Sequence, residues 1–241
     1  MTEHARRATM KSEYMQWARL RAGARFNLAT SGLANSTLAE LSFRHQELEL
    51  TRTSEYGYGP LQKALAAKSG VGEECVVAAQ GTSFANHLAM AALIEPGDEV
   101  LIEHPTYELI VTTARYLGAR VERFERRGEE GFALDPFEVE RRLTPRTRLI
   151  VLTNLHNPSS ADTPVEVLRR VGEIARGGGA RVLVDEVYLD AMFERAPPSA
   201  FHLGEEFITT NSLTKVYGLS GLRCGWVLAA PELAQRMWLL N

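Results

Sequence analysis

Seven short runs rich in valine, isoleucine and leucine recur along this chain, most of them separated by amphipathic stretches of helical length. The runs are 76–79, 99–103, 120–124, 149–153, 182–184, 207–210 and 225–229. Apolar runs of this length read as strands buried on both faces, and helices between them read as crossover connections. The pattern predicts an α/β fold, with a seven-stranded, mostly parallel sheet between helices. A chain of 241 residues is long enough to bury one such core. Residues 46–241 carry the sheet domain. Residues 1–45 lack an apolar core of their own and read as an arm: Trp17 and Leu20 sit on a short helix, and 26–33 form an extended, turn-ended segment. A further helix is expected over 42–53, broken by Tyr56-Gly57-Tyr58-Gly59-Pro60. The helix that begins near Leu61, Leu65 and Ala66 stops at Gly70, and Gly177-Gly178-Gly179 stops another.

In parallel α/β sheets, ligands gather beyond the carboxyl ends of the strands, so the residues after each run are the candidates for a site. After the first run, Gly81 opens a helix whose leading residues, Thr82 and Ser83, present free N–H groups and a dipole to an anion; they serve equally well as plain helix caps. His104-Pro105-Thr106-Tyr107 follows the second run and places the Tyr107 ring where a flat ligand could stack, or in the core. The fourth run ends in Asn154-Leu155-His156-Asn157-Pro158, where Asn157 is either a hydrogen-bond donor or a turn residue before proline. The fifth delivers Asp185, Glu186 and Tyr188; Asp185 could otherwise cap the next helix.

The sixth run leads into Asn211-Ser-Leu-Thr-Lys-Val-Tyr-Gly-Leu-Ser-Gly-Leu-Arg-Cys-Gly225. Lys215 stands here among small hydroxyl residues and glycines instead of the charged neighbours of a surface helix. A lysine becomes a nucleophile when burial or a nearby cation lowers its pKa. Ser212 and Arg223 are residue types that hold phosphate, the arginine through its bidentate fork. Lys215 and this clamp form the minimum apparatus for pyridoxal phosphate, whose ring nitrogen also needs a carboxylate, the role open to Asp185. A solvated loop lysine is the competing reading of the stretch taken alone.

Composition narrows the partners. A net charge of −3 with scattered arginines gives no reason to expect nucleic acid or an anionic membrane. No helix-turn-helix or basic stretch suggests a DNA-binding regulator. Cys75 and Cys224 match neither a disulfide framework nor a metal-site spacing, so both read as small core residues in a reducing compartment. No uncharged apolar stretch is long enough to cross a membrane. The expected location is cytoplasmic, with no metal.

With these residues in order, the chain resembles the pyridoxal-phosphate-dependent aminotransferases of fold type I, in particular the class I/II, aspartate aminotransferase-like group. In that family the lysine sits in Ser-x-Ser/Thr-Lys-x-x-Gly-x-x-Gly-x-Arg-x-Gly. Here Ser212, Thr214, Lys215, Gly218, Gly221, Arg223 and Gly225 are in register. The resemblance implies that Lys215 carries the cofactor as a Schiff base and shuttles the proton, and that Asp185 pairs with the pyridine nitrogen. Tyr188 and Asn157 would bond the ring oxygen and Tyr107 would stack on the ring. Thr82, Ser83, Ser212 and Arg223 would hold the phosphate.

Implied with these are amino-acid and 2-oxo-acid substrates, a homodimer, and amino-group transfer from an L-amino acid. A lyase of the same fold, or a catalytically incompetent cofactor-binding fragment, shares the same residues. The chain departs from the family where the usual Asn-Pro-x-x-Pro-Thr-Gly loop becomes Asn154-Leu155-His156-Asn157-Pro158-Ser159-Ser160, and where the segment before the first domain helix is compressed to Tyr56-Gly57-Tyr58-Gly59-Pro60-Leu61. The C-terminal part of the small domain, with the arginine expected to grip the substrate carboxylate, is expected to be missing. The small domain would then be incomplete, leaving Met237, Trp238, Leu239 and Leu240 as an exposed apolar run.

Overall fold

The computed structural model describes residues 11–21, 23, 25–27, 29–34, 36–44, 46 and 56–241. All seven apolar runs are strands: β1 Val76–Gln80, β2 Glu99–His104, β3 Arg120–Glu125, β4 Thr147–Thr153, β5 Arg181–Asp185, β6 Phe207–Ser212 and β7 Cys224–Leu228. They form one sheet in the order β1-β7-β6-β5-β4-β2-β3. Neighbours from β3 through β6 pair in parallel, as expected, while β7 runs antiparallel to both β1 and β6. The reason lies in the connection: residues 213–223 between β6 and β7 hold only a short 3-10 turn, and a parallel return needs a crossover of a dozen residues or more.

The helices are α1 Glu13–Leu20, α2 Gly59–Ser69, α3 Thr82–Leu93, α4 Glu108–Tyr116, α5 Pro136–Arg142, α6 Val165–Gly178 and α7 Pro231–Trp238. Alternation along each strand divides the core in two. Val77, Val100, Ile102, Leu149, Val151, Leu183, Ile208 and Val227 face α3, α4 and α7. Leu101, Ile150, Leu152, Val182, Val184 and Phe207 face α5 and α6. A third cluster joins α2 to Val76, Trp226 and Leu228, on the face of β1 and β7 away from α3. Two predicted stops hold: α2 ends on Gly70 at φ 66° and α6 on Gly179 at φ 72°, both left-handed.

The arm carries α1, as expected from Trp17 and Leu20, and 29–34 is irregular. The helix expected over 42–53 does not begin there: 42–44 have no helical structure, and most of the remainder lies outside the described residues. Cys75 is buried, but Cys224 is only half-buried, at the first residue of β7 beside the exposed Arg223. The terminal apolar run also divides: Met237 packs into the core with Leu233 and Ala234, while Leu239 and Leu240 stay exposed. No helix among the described residues is long and apolar enough to cross a membrane.

Candidate active site

A cavity of about 1100 Å³ opens at the carboxyl ends of the parallel strands, and eight of the nine predicted site residues line it: Thr82, Ser83, Tyr107, Asn157, Asp185, Tyr188, Lys215 and Arg223. The ninth, Ser212, is fully buried behind the cavity wall and is joined to it by the Thr82 hydroxyl, 2.7 Å from its own.

Lys215 lies in the loop after β6, which is clamped from the arm. Its Nζ donates to Ser31 Oγ at 2.6 Å, and its carbonyl accepts from Leu33 N at 2.9 Å. The carbonyl of Gly218 likewise accepts from Ser36 N at 3.1 Å. Burial lowers the Lys215 pKa below the ordinary amine range; the Asp185 carboxylate pulls it back up and the Arg223 guanidinium pushes it further down.

Asp185 ends β5 and is 4% exposed. Its Oδ1 accepts from Val187 N at 3.1 Å and its Oδ2 from Asn86 Nδ2 at 2.7 Å. Burial raises its pKa to about 6, against the lowering pull of Asn86, Val187 and Lys215. Tyr188 reaches back to the arm, its hydroxyl donating to Ser31 O at 2.9 Å. The Tyr107 hydroxyl sits 3.4 Å from Met15 Sδ of α1 and shares a hydrogen bond with Ser83.

The turn from β1 into α3 depends on two glycines. Gly81 has φ 80°, and a Cβ there would stand 2.5 Å from Arg223 Nη2. A Cβ on Gly225 would fall 2.5 Å from the Gly81 carbonyl carbon, so β7 reaches β1 this closely only without a side chain. Arg223, at φ 51°, holds its guanidinium over this turn by donating to Gln80 O at 3.1 Å. The N-terminus of α3, the hydroxyls of Thr82 and Ser212 and the Arg223 guanidinium therefore converge at one end of the cavity. Beside them Thr214 Oγ1 is buried without a hydrogen-bond partner. An orphaned hydroxyl among N–H, hydroxyl and guanidinium donors is the donor set a phosphate requires, so these residues fit pyridoxal phosphate.

A buried ion pair supports the Asn157 loop from below. Arg126 Nη1 meets Glu103 Oε2 at 2.9 Å with both side chains fully buried. Glu103 Oε1 accepts from the Thr153 hydroxyl at 2.6 Å, and that oxygen in turn accepts from Asn157 N at 2.8 Å. His156, beside Asn157, is tied to Ser159 Oγ at 2.6 Å and Pro105 O at 3.0 Å. The missing Thr-Gly is accommodated: Ser160, where the family has glycine, takes up the left-handed conformation at φ 63°.

Sequence reasoning missed Asn86, Ser31, Thr214 and the Glu103–Arg126 pair. Thr214 alone had a signal, since it occupies the second hydroxyl position of the lysine motif.

Fold and site together define an α/β protein with a half-buried lysine and a buried carboxylate lining one cavity, closed at one end by a phosphate-type cradle. Residues 27–240 match the family model "Aminotransferase class I and II", and the chain belongs to that pyridoxal-phosphate-dependent family. It is 32% identical over 170 residues to an arginine–pyruvate transaminase of Pseudomonas aeruginosa, covering 69% of this chain and 43% of that protein. It is 31% identical over 189 residues to an aspartate/prephenate aminotransferase of Thermus thermophilus, covering 75% and 49%. A solved pyridoxal-phosphate-dependent aminotransferase from Streptococcus suis superposes with a TM-score of 0.84 at 29% identity, over 92% of this chain and 63% of that one. The chain spans about half the length of the curated relatives it matches.

Proposed function

We propose that this chain holds pyridoxal phosphate and serves an aminotransferase that moves an amino group from an L-amino acid to a 2-oxo acid. The observation that carries the reading is that Lys215 and Asp185 line one cavity whose far end is the α3 and Arg223 cradle. Thr82, Ser83, Thr214 and Arg223 hold the phosphate, with Ser212 behind them accepting from the Thr82 hydroxyl, and Asp185 receives the ring nitrogen. Tyr188 and Asn157 serve the ring oxygen, and Tyr107 lies against the ring. Bound there, the cofactor supplies the electron sink that makes a substrate α-proton removable.

The chain's own part is proton handling. Lys215 Nζ, with its pKa lowered by burial, takes that proton as a neutral amine and returns it. The carboxylate of Asp185 keeps the ring nitrogen protonated. Ser31 Oγ accepts from Nζ at 2.6 Å, so the arm lies against the lysine that handles the proton. The same reading includes a homodimer in the cytoplasm, which light scattering and cell fractionation would check.

Loading the protein with pyridoxal phosphate, reducing with borohydride and mapping peptides tests the assignment. The cofactor is expected on Lys215, and an adduct on another lysine, or none, overturns it. Adding single L-amino acids to the loaded protein then tests the reaction: conversion to the amine form of the cofactor, with release of a 2-oxo acid, supports transfer, whereas release of ammonia points to elimination.

A further inference from the structure

We propose that Asn86 is a positioning residue for Asp185: its amide, oriented by the Thr210 hydroxyl, fixes the carboxylate and keeps it ionised for a protonated ring nitrogen. The proposal rests on the reading of the cavity as a pyridoxal phosphate site and adds a polar relay to it.

Asn86 is 3% exposed, on the face of α3 that otherwise buries Ala85, Leu88, Ala89 and Met90. A buried amide among such neighbours is costly unless its groups are paired. Both ends are. Nδ2 donates to Asp185 Oδ2 at 2.7 Å, and Oδ1 accepts from the Thr210 hydroxyl at 2.6 Å. Thr210 lies directly across the β5–β6 ladder from Asp185, so the sheet register brings carboxylate, amide and hydroxyl together.

The direction of the relay follows from its chemistry. An ionised carboxylate only accepts, so the amide must turn its NH2 toward it, and the opposite oxygen then needs a donor, which the rotatable Thr210 hydroxyl supplies. Turning the amide over would set its oxygen against Asp185 Oδ2. With Val187 N–H on Oδ1, the carboxylate is held from two sides and keeps lone pairs toward the cavity.

The charge of this group is finely balanced. Burial pushes Asp185 up to about 6, and the Asn86 donor, Val187 N–H and Lys215 pull it down. The other titratable groups facing it are Glu186, Tyr107 and Tyr188. A donor to the charged form lowers a carboxyl's pKa, so the Asn86 amide works against burial and favours the ionised Asp185.

The experiment is a 13C NMR titration of the Asp185 side-chain carboxyl in the full, cofactor-free chain, assigned with Asp185→Asn, alongside pyridoxal phosphate affinity against pH. Asn86→Leu removes the donor at similar volume. The Asp185 midpoint is expected to rise by about one unit or more, with cofactor affinity falling about 10-fold near neutral pH, as a lost bond to a charged group predicts. Thr210→Val leaves Asn86 in place, suits a strand, and should shift the midpoint the same way by less; it decides the matter if Asn86→Leu does not fold. A midpoint unchanged in the folded variants, with only melting temperature altered, overturns the proposal. Because the titration is read without cofactor, a parent chain that binds no pyridoxal phosphate would refute the reading of the site while leaving the relay to its own test.

Discussion

Lys215 and Arg223 line one cavity, and the Arg223 guanidinium adds to the burial that disfavours a charge on Lys215. Arg223 is the more exposed, so the yielding partner is Lys215, whose burial already disfavours the ammonium form. The two residues should therefore separate cleanly by mutation. Lys215→Ala leaves Thr82, Ser212, Thr214 and Arg223 untouched, so cofactor affinity is expected to stay within about 10-fold of the parent while any reaction with amino acids is lost. Arg223→Gln removes a charge-assisted partner of the phosphate worth about 1.5–3 kcal/mol, which is roughly 10- to 100-fold in affinity. It also removes a like charge from Lys215, so the lysine's pKa should rise. Equilibrium binding and a stopped-flow half-reaction on both variants check this. If Lys215→Ala loses cofactor more severely than Arg223→Gln, the phosphate cradle has been assigned to the wrong residues.

At the scale of elements, the loop from β4 to α6 shows how a changed motif keeps its shape. Ser160 is exposed and left-handed at φ 63°, and its N–H is held by His156 O at 2.7 Å. An L-residue in that region costs about 1–2 kcal/mol that glycine avoids, partly offset by glycine's greater freedom when unfolded. Ser160→Gly is expected to raise the melting temperature slightly, by up to about 1 kcal/mol in stability, without moving Asn157. A destabilised variant in a thermal scan would contradict this. The strands themselves were legible because burial on both faces writes an unbroken apolar run, as in 149–153. Their direction was not: an apolar run has no polarity, and only the absence of a helical pattern over 213–223 hinted that β7 turns back. Site residues at strand ends, such as Asp185, were legible from position alone. Asn86 and Ser31 were not, because their partners lie 99 and 184 positions away and only the folded register joins them.

Among the described residues, the carboxyls of Glu103 at 0%, Asp185 at 4% and Glu186 at 3% exposure are nearly sealed from water. Burial is the largest influence on each: it raises Asp185 to about 6 and Glu186 to about 7, while at Glu103 the buried Arg126 guanidinium opposes it and keeps the pair charged. In the unfolded chain such groups titrate near ~4. Between about pH 4.5 and 7 the folded chain therefore holds protons at Asp185 and Glu186 that the unfolded chain has released, and their contribution to stability falls as pH rises through that window. Histidines act in the opposite sense. Burial lowers His156 to about 4 and His87 below its usual range, so the unfolded chain takes up their protons first and stability falls as pH drops. These effects overlap in the parent, and a single substitution separates them. Glu186 accepts from Ala200 N and from the Ser199 hydroxyl, both at 2.7 Å. In Glu186→Gln the amide oxygen keeps the Ala200 bond, and the NH2 turns to the Ser199 oxygen, whose hydroxyl remains free to donate to Thr209 at 3.0 Å. No bond is lost and no buried charge remains. The variant should match the parent near pH 5, where Glu186 is already neutral, and exceed it at pH 8 by on the order of 1–3 kcal/mol, the cost of ionising a buried carboxyl that titrates near 7. Denaturant unfolding of parent and variant at both pH values measures the difference. A variant weaker than the parent by the same amount at both would mean that Glu186 carries its charge in the folded chain and that Ser199 and Ala200 bond a true carboxylate.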